Sequence, residues 1–92
     1  MTEEEEIEII RRTVDGDVEA FGLLVERWQA PLLRYLSSLL RDHQSLAEEL
    51  AQDVFFEAFQ KIGDYNAHRS RFSSWLFLRA RSRAISALRK KR

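Results

Sequence analysis

The chain has 92 residues, 45% of them hydrophobic, and a formal net charge of zero. That length suits one small domain with a modest core, and that composition excludes a wholly disordered chain. No apolar run approaches the roughly 18 residues a membrane helix needs, and without cysteine neither a disulfide nor a thiolate metal site can form.

The acidic start, Met1 to Glu6, lacks the basic residues and apolar stretch of a secretory signal, so a cytoplasmic location is expected. Glycine is scarce, Pro31 is the single proline, and no strand-like alternation persists, so the chain reads as helix throughout. A first acidic helix is predicted over Glu4–Val14. Gly16 ends it, and Asp17 is suited to cap the next, with Ala20 at the third helical position. A second helix runs from Val18 to about Gln29. Pro31 lacks a backbone donor, so the helix kinks or restarts there, and a segment from Pro31 to Arg41 carries Leu32, Leu33, Leu36, Leu39 and Leu40. A third main helix is predicted over Ser45–Ile62, with Gly63 as its stop. Gly63 to Arg71 is a polar loop. A last helix begins near Phe72 or Ser73 and runs into a basic tail that includes residues 90–92. The expected fold is all-α: one domain over residues 1–92, built as a compact antiparallel bundle of three to five helices.

Two helices carry more good faces than one core needs. Advancing roughly 100° per residue along 45–62 places Ala47, Leu50, Ala51, Val54, Ala58 and Ile62 on one arc. Phe56 and Phe59 fall opposite, beside Gln52 and near Glu49 and Asp53. Aromatics ringed by polar groups have the composition of a protein-docking face. The alternative is that preceding helices cover these rings, Phe59 more readily than Phe56. On the last helix Leu76, Phe77, Ala80, Ala84, Ala87 and Leu88 share the core arc. A different arc holds Phe72, Trp75, Arg79, Ser82, Arg83 and Ser86. Arginines hold phosphates or base edges, and an aromatic among them can stack an unpaired base. The loop adds Tyr65, Asn66, His68, Arg69 and Arg71, groups suited to an extruded nucleotide. The alternative here is a solvated basic helix with a structural tryptophan.

Charge follows the same division. Met1 to Glu57 holds 14 acids and 5 bases, whereas Ala58 to Arg92 holds 10 bases and one acid, Asp64. The second part suits a polyanion, and Arg89, Lys90, Lys91 and Arg92 suit phosphates. No constellation supports catalysis. His43 and His68 lack ligand spacing, and the helical carboxylates Glu48, Glu49, Asp53 and Glu57 lack the Glu-x-x-His pairs of a di-metal bundle. No metal or other cofactor is expected, and the chain does not read as an enzyme.

The stretch Leu46-Ala-Glu-Glu-Leu-Ala-Gln-Asp-Val-Phe-Phe-Glu-Ala-Phe59 resembles the polymerase-binding helix of sigma-70 family factors. Phe72-Ser-Ser-Trp-Leu76, then Ala80-Arg-Ser-Arg-Ala-Ile85 and a closing run of bases, resembles the promoter-melting helix of the extracytoplasmic-function (ECF) group. Glu19-Ala-Phe-Gly-Leu-Leu-Val-Glu-Arg-Trp28 and Pro31-Leu-Leu-Arg-Tyr-Leu36 are similar to that family's opening helices. The resemblance covers the chain from Asp15 onward and implies the sigma region 2 fold. It implies that Glu49, Gln52, Asp53, Phe56 and Phe59 dock on the clamp helices of the largest subunit of RNA polymerase core. It also implies that the 64–71 loop pockets a flipped base of the non-template strand at the minus-ten element. Phe72, Trp75, Arg79, Ser82 and Arg83 would then track the separated strand, with Arg89 and Lys90 on phosphates. An anti-sigma factor is a further partner the family allows. The chain departs from the family at Arg79, often apolar there, at Ser82, often Asn, and at Ser86, often Asp. The family's second domain, a helix-turn-helix, has no counterpart, so the chain is expected to be an excised domain or one that works with a partner.

Two other readings stay open from the residues alone. One is an autonomous helical DNA-binding regulator, although the 63–71 turn is longer than the roughly three or four residues of a helix-turn-helix. The other is a protein-interaction bundle with no nucleic-acid role, which leaves the basic C-terminal part unexplained.

Overall fold

A computed structural model of the chain describes residues 1–90. Lys91 and Arg92, the end of the basic tail, lie outside the described residues. The described residues form four α-helices and no strand: α1 Glu3–Val14, α2 Val18–Leu40, α3 Gln44–Lys61 and α4 Phe72–Lys90, with a 3-10 turn at Ile62–Asp64.

α1 begins with a capping box. The Thr2 hydroxyl accepts from the Glu5 amide (3.1 Å), and the Glu5 carboxylate accepts from the Thr2 amide (3.3 Å). Four glutamates in its first turn and Arg11 and Arg12 in its last complement the helix dipole. Gly16 then adopts φ 105°, the left-handed conformation that lets the chain reverse after so short a connection. Asp17 caps α2 as expected, its carboxylate accepting from the Ala20 amide. α1 is held on its inner side by buried Ile9, Ile10 and Thr13, and by Glu6, which accepts a 2.8 Å hydrogen bond from the Trp28 indole of α2.

Of the two outcomes expected at Pro31, a kink or a restart, the restart does not occur. α2 does not stop at Gln29 but runs unbroken through the proline. An interior proline costs about 3 kcal/mol. That cost is offset because Leu24, Leu32, Leu36 and Leu40 lie on one stripe spanning the proline and are all buried at 2% exposure or less. Each fully buried leucine contributes roughly 1.5–3 kcal/mol. At about 1.5 Å per residue, α2 accounts for most of the 41 Å long axis. α1, α3 and α4 all pack against it.

On α3 the predicted core residues Ala47, Leu50, Ala51, Val54, Ala58 and Ile62 are all buried, and Phe55 joins them. Gly63 is not a left-handed stop: α3 ends at Lys61, and Gly63 sits inside the 3-10 turn, anchored by buried Ile62. On α4 Leu76, Ala80 and Ala84 are buried, and Phe77 and Ala87 pack against the core. Two residues are corrected. Leu88, assigned to the core, is 40% exposed, and Phe72, assigned to the outer arc, is 1% exposed.

Leu76→Ala and Leu50→Ala should each destabilise the domain by about 2–5 kcal/mol, with Leu76 the costlier because it is wholly enclosed. Urea unfolding followed by circular dichroism measures this. An unchanged midpoint for either variant would contradict the packing described.

Candidate functional site

The outer face of α3 presents Glu49 and Gln52 to solvent, with Asp53 half-buried beside them. Phe56 is 65% exposed, an expensive position for a ring with no polar atom. The structure separates it from Phe59. The Phe59 ring turns inward and meets Phe21 edge-on, with centroids 5.2 Å apart. Next to Gln52 a groove opens between α2 and α3, with Val25, Leu33, Ala51 and Phe55 on its floor and Gln29 and Glu48 on its walls. The sequence reading missed this groove. Its signal lies in the second apolar side of α2, where Val25 and Leu33 sit two turns apart.

The loop after the 3-10 turn is built by its own side chains. The Asn66 carboxamide oxygen accepts from the His68 amide at 2.8 Å, and the Asn66 carbonyl accepts from the amides of Arg69 and Ser70. Asn66 therefore shapes the turn. His68, Arg69 and Arg71 are exposed around it. Tyr65 is half-buried and donates its hydroxyl to the Ser70 carbonyl at 2.7 Å. Burial raises its pKa above the ordinary tyrosine value, and the nearby carboxylates of Glu6 and Glu3 add to the rise against the opposing field of Arg71. Arg71 lies 3.5 Å from Glu3, so the acidic first turn of α1 flanks this loop.

Tyr65, Phe72 and Trp75 form one aromatic cluster, with centroids 5.5–5.8 Å apart. Phe72 is its buried base and does not reach the surface, whereas Trp75 remains half-exposed. The Arg79 guanidinium lies over the Trp75 ring, its Cζ 4.3 Å from the centroid. Arg79 also donates to Glu57 Oε1 on α3. Arg83 donates to Glu57 Oε2 through Nε at 2.7 Å, its Nη2 forms an ion pair with the same oxygen at 2.6 Å, and its Nη1 lies 3.9 Å from Asp53. Burial opposes ionisation of Glu57, but the guanidinium bonds of Arg83 and Arg79 outweigh it and hold the carboxyl below its ordinary pKa. Ser82, Arg81, Arg89 and Lys90 are exposed along the same helix. Leu78, 68% exposed, stands among them and escaped the sequence reading, although it lies one turn from Arg81 and Ser82. A shallow hollow bounded by Trp75, Leu78, Arg79, Ser82, Arg83 and Glu57 results.

Among the described residues no group of three or more His, Asp or Glu side chains could hold a metal ion, and no helix is long and apolar enough to cross a membrane. The arrangement offers binding surfaces: a carboxylate-aromatic face on α3, and an aromatic-guanidinium face on α4 and its preceding loop.

Residues 24–92 match the family described as Sigma-70 region 2. The chain is 31% identical over 77 residues to the RNA polymerase sigma-H factor of Pseudomonas aeruginosa, covering 84% of this chain and 39% of that protein. It is 29% identical over 83 residues to the ECF RNA polymerase sigma factor SigW of Bacillus subtilis, covering 90% of this chain and 43% of that protein. It is 27% identical over 81 residues to the ECF RNA polymerase sigma factor SigK of Mycobacterium sp. (strain KMS), covering 88% and 42%. The chain spans about two-fifths of the length of these curated relatives. No solved structure matches.

The depressed pKa of Glu57 fixes the sign of one pH dependence. A carboxyl whose folded pKa lies below its unfolded value contributes stability that is present above about 4.5 and is lost as pH falls through the folded pKa. Glu57→Gln should therefore cost roughly 1 kcal/mol at neutral pH and nothing in strong acid. Urea midpoints of the parent and variant across a pH series measure the difference. A gap that persists undiminished well below 4.5 would contradict it.

Proposed function

Because the chain belongs to the sigma-70 family, as region 2 of an ECF sigma factor, we propose that it joins RNA polymerase core to promoter DNA in transcription initiation. The observation that carries this reading is the placement of two chemically opposite faces on adjoining helices, with their inner sides sharing one core.

In this proposal α3 docks on the clamp helices of polymerase through Glu49, Gln52 and Asp53 around the exposed Phe56. Phe59 supports the face from within through its contact with Phe21. Burying the Phe56 ring against a partner gains roughly 1.5–3 kcal/mol that solvent exposure now forgoes. Docking brings α4 to the minus-ten element. Opening a duplex costs about 1.4 kcal/mol per base-pair step on average. Stacking an unpaired base on an aromatic ring returns about 1–3 kcal/mol, so one captured base offsets one or two steps.

Trp75 is the stacking platform in this mechanism, and Phe72 is the buried support beneath it rather than a contact to the strand. Tyr65, Asn66, His68, Arg69 and Arg71 form the loop that would receive a flipped base of the non-template strand. Ser82, Arg79 and Arg83 would follow the strand, and Arg89 and Lys90 would hold phosphates without reading sequence. The role is binding and involves no bond chemistry.

Phe56→Ala combined with Gln52→Ala should weaken core binding by roughly tenfold or more while leaving helicity intact, because both side chains lie outside the core. A core-binding titration paired with circular dichroism tests this. Native helicity with unchanged affinity would remove α3 as the docking surface.

The α4 residues should separate by kind of contact. With core present, Trp75→Ala should lose capture of single-stranded minus-ten DNA while scarcely changing the salt slope. Arg89→Ala with Lys90→Ala should lower the salt slope by about 1.4 and spare base preference, since two single-strand phosphate contacts are removed. Fluorescence anisotropy over a salt series reads both effects. Identical responses from the two variants would contradict the division.

A further inference from the structure

Glu57 borders the α4 hollow from α3 and holds the two arginines at its centre. Three observations bear on this arrangement. First, the Arg79 guanidinium lies over Trp75, its Cζ 4.3 Å from the ring centroid, and so occupies the space a stacked base would need. Second, Glu57 is the tie: one carboxylate oxygen accepts from Arg79 and the other from Arg83, with Asp53 3.9 Å from Arg83 as a second acid. Two acids facing two guanidiniums leave the cluster with no net charge to attract a phosphate. Third, the tie is incomplete. Arg79 Nε is buried and finds no hydrogen-bond acceptor among the described residues, a loss that is costly for a charged group. A phosphate can accept from Nε and Nη together in the bidentate mode that guanidinium favours, which Glu57 does not offer to Arg79 here.

We propose that Glu57 is a positioning residue that sets the strand affinity of α4. It keeps Arg79 closed over Trp75 in the free domain. When single-stranded DNA arrives, a backbone phosphate replaces the carboxylate on the arginines, and a base replaces the guanidinium on the Trp75 ring. The carboxylate thereby lowers affinity for nucleic acid and makes phosphate and base binding one coupled exchange. This inference rests on the proposed role of α4 as the strand-binding face.

The test is anisotropy of labelled single-stranded minus-ten DNA with polymerase core present, for the parent, Glu57→Gln, Trp75→Ala and the double variant. Glu57→Gln should bind roughly five- to tenfold more tightly despite its lower stability, and the gain should vanish when Trp75→Ala is added. A residue with a merely structural role would instead weaken binding in step with its loss of folding, so thermal midpoints are recorded for each variant. Glu57→Asp, which keeps the charge but cannot span both guanidiniums as well, should show a smaller gain and serves if the glutamine variant does not fold. If Trp75→Ala weakens binding while Glu57→Gln and Glu57→Asp leave it unchanged or weaker, the role of Glu57 is overturned and the strand-binding face stands. If the parent captures no single strand and Trp75→Ala changes nothing, the strand-binding face is overturned and the Glu57 inference goes with it.

Discussion

The leucine stripe of α2 is the constraint on which the other elements depend. Leu24, Leu32, Leu36 and Leu40 are sealed on both sides of Pro31, and this continuity keeps the helix unbroken across a residue that disfavours it. Among the described residues, only α2 touches all three other helices. In so small a domain there is no second core to compensate, so the stripe decides where the inner faces of α3 and α4 point. Their outer faces are what remains. α3 is left with carboxylates and the uncovered Phe56, and α4 with arginines, Trp75 and Leu78.

These outer faces meet along one seam. Asp53 and Glu57 on α3 lie against Arg79 and Arg83 on α4, so among the described residues the acid-rich and base-rich parts of the chain neutralise each other chiefly there. Beyond the seam the charges stay separate: Glu48 and Glu49 lie on one side, and Arg81, Arg89 and Lys90 on the other. The zero net charge of the sequence thus conceals two surfaces of opposite charge. A second, weaker meeting of opposite charges occurs at the loop, where Glu3 of α1 reaches Arg71. Both side chains are well exposed, so this contact adds little to stability.

Much of this was legible in the sequence because it is local. The Asp17 cap, the end of α1 just before Gly16 and the α3 core arc from Ala47 to Ile62 all follow from neighbours within one or two turns, and each is present as read. The failures occur where distant residues decide. Pro31 was weighed by its own chemistry, but the outcome was set by leucines on either side and by the helices they pack against. Phe72 and Leu88 sit at the two ends of α4, where a helical wheel cannot tell whether the bundle still extends to cover them. Tyr65 and Trp75 enclose Phe72, while Leu88 is left 40% exposed. Glu57 lies 22 and 26 residues from its arginines, and no single sequence declares such a pairing. Gln52, Phe56, Trp75, Arg79 and Arg83 lie on arcs that periodicity alone picks out, whereas exposed Leu78, the Val25–Leu33 groove and the carboxylate seam became visible only with the helices packed.

The central claim is that one small bundle holds polymerase with α3 and promoter DNA with α4 at the same time. The most direct measurement is the affinity of the single non-template minus-ten strand for the domain, for purified polymerase core, and for the two together. Simultaneous engagement predicts that the strand binds the domain–core complex far more tightly than it binds either component, with all three in one sedimenting species. Tight, sequence-specific binding of duplex DNA by the domain alone, or displacement of the strand when core is added, would contradict the account.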